Sequence, residues 1–113
     1  MSCIFCGIVA GEIPSERVAE GDDYLAFRDV APAAPTHVLI IPKRHVDGIA
    51  ATDPKDADLL GRMLLVASEI ARQEGIDENG YRVVINEGAD GGQTVEHLHI
   101  HVLGGRGMGW PPG

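Results

Sequence analysis

The chain has 113 residues, 44 % of them hydrophobic, and a formal net charge of −8. This length predicts one domain over residues 1–113, and the acidic charge disfavours nucleic acid and anionic membranes as partners. No apolar run approaches the roughly 18 residues that span a bilayer, and the start "MSCIFCGIVAGEIPSERV" lacks the basic lead and long apolar core of a secretory signal. We therefore expect a cytoplasmic protein.

The first predicted elements are strands. The stretches "RVAE" and "YLAF" predict a hairpin whose turn is "GDD", residues 21–23. After the break "APAAP", the apolar run "HVLIIP" at residues 37–42 predicts a buried strand.

A helix is predicted to follow, from Asp53 and Pro54 to about Glu74, because Asp caps free amides and Pro suits the first helical position. Gly75 is placed to end it. Its apolar stripe has three-and-four spacing and consists of Leu60, Met63, Leu64, Ala67, Ile70 and Ala71.

Two further strands are predicted at residues 81–86, "YRVVIN", and 96–103, "EHLHIHVL", joined by "EGADGGQTV". One long helix against a mostly antiparallel sheet predicts an α+β fold.

The last strand carries three histidines at alternate positions, His97, His99 and His101. Alternation in a strand predicts that they project from one face, roughly 6 to 7 Å apart. Two chemistries use such a row: a zinc site, or catalysis by a nucleophilic imidazole oriented by its neighbours. The strand's own carboxylate, Glu96, has the opposite parity, which disfavours the catalytic zinc site.

The preceding loop, "NEGADGGQT", combines three glycines with neutral polar side chains. Glycines let backbone amides approach an anion, and carboxamides and hydroxyls donate hydrogen bonds to it. Beside the histidines, this composition predicts a phosphate cradle.

The segment "HLHIHVL" resembles the signature of the histidine triad superfamily. Together with "FRDVAPAAPTHVLIIPKRH", "NEGADGGQTVEHLHIHVLGG" and "WPPG", it resembles the nucleotide-binding branch, the purine nucleoside phosphoramidases. The resemblance implies a five-stranded sheet with one long and one short helix, and a homodimer across which the sheet continues. It also implies hydrolysis of phosphorus–nitrogen bonds in adenosine or guanosine 5'-phosphoramidates, with acyl adenylates as alternative substrates.

The resemblance assigns catalytic roles to four histidines. His99 is implied to attack the α-phosphorus and form a nucleotidyl-histidine, and His101 to contact the phosphate oxygens. His97 and His37 are implied to form a relay that keeps His99 in the attacking tautomer. No cofactor is implied for catalysis.

The resemblance also implies a substrate pocket. Asp29 matches the ribose clamp, and the phosphate and leaving group are assigned to Asn86, Gly92, Gln93 and Thr94, where relatives commonly carry Ser at position 94. Arg28 stands where relatives often carry His, which implies altered base or ribose contacts. Trp110 resembles a residue that reaches the partner's active site. The apolar lining of the base pocket is implied to be Ile4, Phe5, Ile8, Phe27, Val30 and Leu39, for which ordinary core packing is the alternative.

The motif "CIFC" near the start allows a redox pair, a disulfide or half of a zinc site. The glycines and proline that follow disfavour the redox pair, because they leave no room for a long helix. The resemblance implies a structural, non-catalytic zinc ion held by Cys3, Cys6, His45 and His97, and two buried free thiols are the alternative.

Three functions therefore stay open at the level of sequence. The favoured one is a metal-independent purine nucleoside phosphoramidase. The others are a non-catalytic dimer that binds purine mononucleotides and a zinc hydrolase built on the three triad histidines.

Overall fold

The computed structural model describes residues 3–113. Within this range, two α-helices and five strands follow one another in the order α1 (Ile4–Val9), β1 (Arg17–Glu20), β2 (Tyr24–Arg28), β3 (Thr36–Pro42), α2 (Ala57–Gln73), β4 (Tyr81–Ile85) and β5 (Ile100–Gly104). Short 3-10 turns at Ile49–Ala51 and Pro54–Asp56 precede α2. No helix among the described residues is long and apolar enough to cross a bilayer.

The five strands form one antiparallel sheet in the order β1-β2-β3-β5-β4. The predicted hairpin is β1 and β2, and the run after "APAAP" is β3 in the centre of the sheet. This architecture confirms the predicted α+β fold with one long and one short helix.

Helix α2 begins one turn later than predicted. The Asp53 side chain caps the 3-10 turn by accepting from the Lys55 amide, and α-helical geometry starts at Ala57. Gly75 ends the helix with a φ of +73°, where an L side chain is strained. The predicted stripe is wrong at Leu64, which is half exposed, whereas Val66 is buried in its place. The face of α2 that packs on the sheet is therefore rotated slightly from the predicted one, away from Leu64 and toward Val66.

The sheet has an apolar core on each face, because side chains alternate along the strands. On one face, α2 packs its buried side chains on Val38, Ile40, Ile100 and Val102. On the other, α1 packs Phe5 and Ile8 on a second group, Leu25, Phe27, Leu39 and Ile41. The second face also carries His37 and His101, which have the parity of Leu39 and Leu103.

The predicted last strand is shorter than expected, since β5 begins at Ile100 rather than at residue 96. His97 and His99 lie in the irregular segment before it. In that segment the Leu98 amide donates to the Val46 carbonyl oxygen, at 2.6 Å. The prediction that all three imidazoles share one strand face is therefore wrong.

Candidate functional site

A cavity of about 270 Å³ opens on the α1 face of the sheet. It brings together the carboxylate of Asp29, the hydroxyl of Thr94 and the imidazoles of His99 and His101. The predicted apolar side chains that line it are Ile4, Phe5, Ile8, Phe27, Val30 and Leu39. The cavity is also lined by Ile13, Pro14, Ser15 and Val95, which the sequence reasoning missed because they lie in loops without a periodic pattern.

The His99 imidazole is buried and held in one tautomer. Its Nδ1 lies 2.7 Å from the carbonyl oxygen of His97. A carbonyl only accepts, so in the neutral ring Nδ1 carries the proton and Nε2 carries the lone pair. The backbone of His97, rather than its ring, therefore orients His99.

His37 and His101 form a second, directional pair. The Ala33 amide donates to His37 Nδ1 at 3.0 Å, so the proton of neutral His37 sits on Nε2. That nitrogen lies 2.9 Å from His101 Nδ1 and donates to it. The proton of neutral His101 is then on its Nε2, a buried atom with no hydrogen-bond partner among the described residues. His37 thus contacts His101 and not His99 directly, unlike the predicted relay.

Burial keeps this pair neutral. It lowers the pKa of His101 to about 4, with neighbouring His99 and His37 adding to the shift. Burial also lowers the pKa of His37, against the opposing charge of Asp29, whose Oδ2 lies 3.5 Å from His37 Nε2. At neutral pH both rings therefore act as polar, uncharged groups.

The glycine-rich loop is only partly at the cavity. Thr94 lines it, whereas Asn86, Gly92 and Gln93 do not. Gln93 instead organises the loop: its Nε2 donates to the carbonyls of Asp47 and Val95 at 2.7 and 3.0 Å, and its Oε1 accepts from the Gly88 amide. The loop needs glycine at position 91, where a Cβ would lie 2.3 Å from the Glu87 carbonyl oxygen.

Three other predicted substrate residues have distinct surroundings. Asp29 Oδ1 accepts from the Ala31 amide at 2.8 Å, which fixes the carboxylate at the rim. Arg28 lines the cavity, but its guanidinium bonds both carboxylate oxygens of Glu74, at 2.7 and 3.0 Å, and one of Glu16. Trp110 is 84 % exposed and does not line the cavity.

A second cluster joins Cys3, Cys6, His45 and His97, whose ligand atoms all lie within 4.8 Å of one another. Cys3 Sγ lies 3.4 Å from His97 Nδ1, and Cys6 Sγ lies 3.2 Å from His45 Nδ1 and 3.6 Å from His97 Nδ1. Two ligands of a tetrahedral zinc ion are separated by about 3.6 Å when one is thiolate and one imidazole. The spacing therefore fits zinc.

The protonation of the two imidazoles fits a metal as well. His97 Nε2 lies 2.9 Å from the Pro42 carbonyl oxygen and must donate to it, while His45 Nε2 lies 2.7 Å from Asp47 Oδ1. These bonds leave both Nδ1 lone pairs directed at the sulfurs, as in metal sites where an outer hydrogen bond fixes the ligand tautomer. His97 belongs to this cluster through its ring. By contrast, His97, His99 and His101 do not form a three-histidine cluster among the described residues.

The fold and these contacts define an α+β protein with a paired-imidazole cavity beside a four-donor cluster. The HIT domain family model matches residues 10–108. The chain therefore belongs to the HIT family, which confirms the resemblance in its sequence.

Proteins that are similar in sequence and in structure support this family assignment. A 14 kDa zinc-binding protein of Zea mays is 53 % identical over 112 residues, covering 97 % of this chain and 87 % of the relative. The crystal structure of a HIT family hydrolase from Legionella pneumophila is 51 % identical with a TM-score of 0.97, and covers 99 % of this chain and 100 % of that one. A histidine triad nucleotide-binding protein from Candida albicans is 38 % identical with a TM-score of 0.84, covering 97 % and 83 %. The chain is thus hydrolase-like in its family and its fold.

Proposed function

We propose that this protein is a purine nucleoside phosphoramidase, which releases AMP or GMP and an amine through a nucleotidyl-histidine on His99. The observation that carries the proposal is the His99 tautomer: the Nδ1–H donates to the His97 carbonyl, so in the neutral ring the lone pair for attack is on Nε2. The nucleotide-binding protein of Candida albicans supports nucleotides as the ligand class.

In the first step, His99 Nε2 forms a bond to the α-phosphorus and the phosphorus–nitrogen bond to the amine breaks. The departing nitrogen takes one proton from solvent, which reaches the exposed rim at Thr94. In the second step, water attacks the same phosphorus, the bond to His99 breaks, and AMP leaves while the water proton returns to solvent. No external oxidant or reductant is needed.

The side chains around His99 support binding of the nucleotide. The unpartnered Nε2–H of His101 donates to a phosphate oxygen, and Asp29 accepts from the ribose hydroxyls. The apolar slot formed around Phe5 and Phe27 receives the purine. Gln93 does not contact the nucleotide but holds the loop that positions Thr94, through its bonds to Asp47, Gly88 and Val95.

The first experiment compares wild type and His99→Asn on adenosine 5'-phosphoramidate, with AMP release followed by liquid chromatography. We expect the substitution to abolish turnover while AMP binding, measured by calorimetry, stays within a few-fold. Turnover at saturating substrate should persist in a strong chelator. If wild type binds AMP but releases none from the substrate, the protein is a nucleotide-binding module and not this enzyme.

We also propose that Cys3, Cys6, His45 and His97 bind a structural zinc ion. The donor spacing and imidazole tautomers support it, as does the zinc-binding relative from Zea mays. When bound, the metal supplies a rigid tetrahedral link and takes no part in the chemistry.

We propose, finally, that the protein forms a homodimer through β4. This strand is at the edge of the sheet, and it exposes Tyr81 and Val83, each 38 % accessible. A second copy of the same edge would pair its open backbone groups and cover these side chains.

A further inference from the structure

We propose that a metal ion at the four-residue cluster and a purine nucleotide in the cavity strengthen each other's binding, with helix α1 as the shared element. The inference rests on the proposed function for the identity of the ligand. Its physical basis is that the two sites are built from the same short segment.

Helix α1 has six residues, too few to be stable by its own hydrogen bonds. It is fixed at one end by the cluster: Cys3 caps it by accepting from the Cys6 amide, and both sulfurs lie against imidazoles of other elements. Between and beyond the two cysteines, the same helix presents Ile4, Phe5 and Ile8 to the cavity. A metal that holds the cysteines therefore holds one wall of the purine slot.

Phe5 is the contact between the two sites. Its ring meets His97 edge-on with centroids 5.8 Å apart, and meets His99 edge-on at 5.2 Å. It also packs edge-on against Phe27, with centroids 5.5 Å apart. Displacement of α1 would remove the side chain that packs on both histidines.

His97 supplies a second connection. Its ring nitrogen Nδ1 faces the sulfurs, while its carbonyl oxygen accepts the Nδ1–H of His99. A ligand on the ring restrains the residue, and so restrains the carbonyl that orients His99. His97 is in this sense a positioning residue, since it acts through His99.

Both ligands thus favour the same arrangement, in which α1 is packed against the sheet. When two ligands favour one state of a shared element, each raises the affinity for the other by the same factor. Typical coupling between two sites is about 5- to 150-fold. We expect at least fivefold here, because one wall of the purine slot depends on the cluster.

The test measures binding in both directions. AMP affinity is determined by calorimetry on chelator-stripped protein and on the same protein reloaded with Zn²⁺, with circular dichroism confirming that the stripped form is folded. We expect AMP to bind at least fivefold more tightly to the reloaded form. Zn²⁺ affinity is then measured on wild type by competition with a chromophoric chelator, with and without saturating AMP, and should rise by the same factor. This second arm does not depend on the stripped form.

The path by which the two sites are coupled is tested with the variant Phe5→Leu and with nitrogen spectra of His99. The variant keeps an apolar side chain but loses the ring contacts, so the coupling factor should fall at least twofold. Long-range proton–nitrogen spectra should show His99 in the Nδ1–H tautomer with Zn²⁺ bound, and a mixture of tautomers without it. A coupling factor that Phe5→Leu leaves unchanged would overturn the Phe5 ring contacts as the path of the coupling.

The outcomes separate this inference from the proposed function. Equal AMP affinity with and without bound Zn²⁺ overturns the coupling and leaves the phosphoramidase proposal intact. Absence of Zn²⁺ binding overturns the coupling in the same way. Failure of both forms to bind AMP overturns the two proposals together.

Discussion

At the scale of single residues, His99 and His101 show how two neighbouring imidazoles come to carry their proton on different ring nitrogens. The rings lie 4.8 Å apart, yet one is fixed by a backbone carbonyl and the other by His37. Each first partner determines which nitrogen carries hydrogen, and so leaves a lone pair on His99 Nε2 and a donor on His101 Nε2. The cavity thus holds a lone pair on one ring and a hydrogen-bond donor on the other. This combination suits a phosphoryl group, whose phosphorus is attacked by the lone pair while its oxygens accept from the donor.

We predict a pH dependence of stability from His101. Its pKa is lowered to about 4, whereas an unfolded histidine titrates near 6.5, so between these values the unfolded chain binds more protons. The stabilisation that neutral His101 contributes to the folded state is complete above about pH 6.5. It is lost as pH falls toward 4, at up to roughly 1.4 kcal/mol per pH unit. His37, whose pKa is lowered too, adds in the same direction.

Urea denaturation at pH 7.5, 6.5, 5.5 and 5.0, in one fixed metal state, measures this dependence. We expect the free energy of unfolding to fall below pH 6.5, and to fall less steeply in His101→Gln. Equal slopes in the two proteins would show that His101 is not the group responsible.

At the scale of elements, Arg28 connects the end of β2 to the end of α2. Its two bonds to Glu74 are charge-assisted, and the Glu74 side chain is only 15 % accessible. These bonds lower the pKa of Glu74, so their stabilisation is present above the ordinary range of a glutamate and is lost as pH falls through the lowered value. The charge of Arg28 is therefore matched by a carboxylate on another element.

We predict that Glu74→Gln destabilises the protein by about 1 to 3 kcal/mol at pH 7, because a hydrogen-bonded carboxylate is lost from a partly buried guanidinium. The matched control is Glu16→Gln: Glu16 bonds the same guanidinium, but its side chain is 74 % accessible. We expect a change within about 1 kcal/mol for the control. Equal losses in the two variants, measured by urea denaturation, would contradict a special role for Glu74.

At the scale of the whole molecule, the two edges of the sheet differ. The β1 edge is interrupted by a register shift between Arg17 and Ala19 and carries charged side chains that discourage pairing. The β4 edge is regular and partly apolar. This asymmetry is why we place the proposed dimer at β4.

We predict that Val83→Lys converts the dimer to a monomer, since it would place two like charges at the centre of the paired edges. Light scattering after size-exclusion chromatography gives the mass. Val30→Lys, at an almost fully exposed valine outside the sheet, is the control and should keep the mass of wild type. A monomeric wild type would contradict the dimer, whereas a dimeric Val83→Lys would place it elsewhere.

Much of the fold could be predicted from the sequence, because local rules act directly on it. The hairpin follows from turn residues between two stretches that can each form a short strand, and the end of α2 from a glycine that tolerates positive φ. The histidines at alternate positions were enough to indicate the family, which is now confirmed. Periodicity was less reliable for Leu64 and Val66, since the side of a helix that is buried depends on the sheet beneath it.

Only the tertiary structure determined which hydrogen-bond partners each of the three triad imidazoles has. His97, His99 and His101 are equivalent by spacing, yet long-range partners separate them: Pro42 and the cysteines hold His97, a carbonyl holds His99, and His37 holds His101. The same applies to Gln93, which bonds its own loop, and to Arg28, which bonds Glu74. Hydrogen-bond direction depends on atoms that the sequence places up to 94 residues apart, and only the folded chain brings them together.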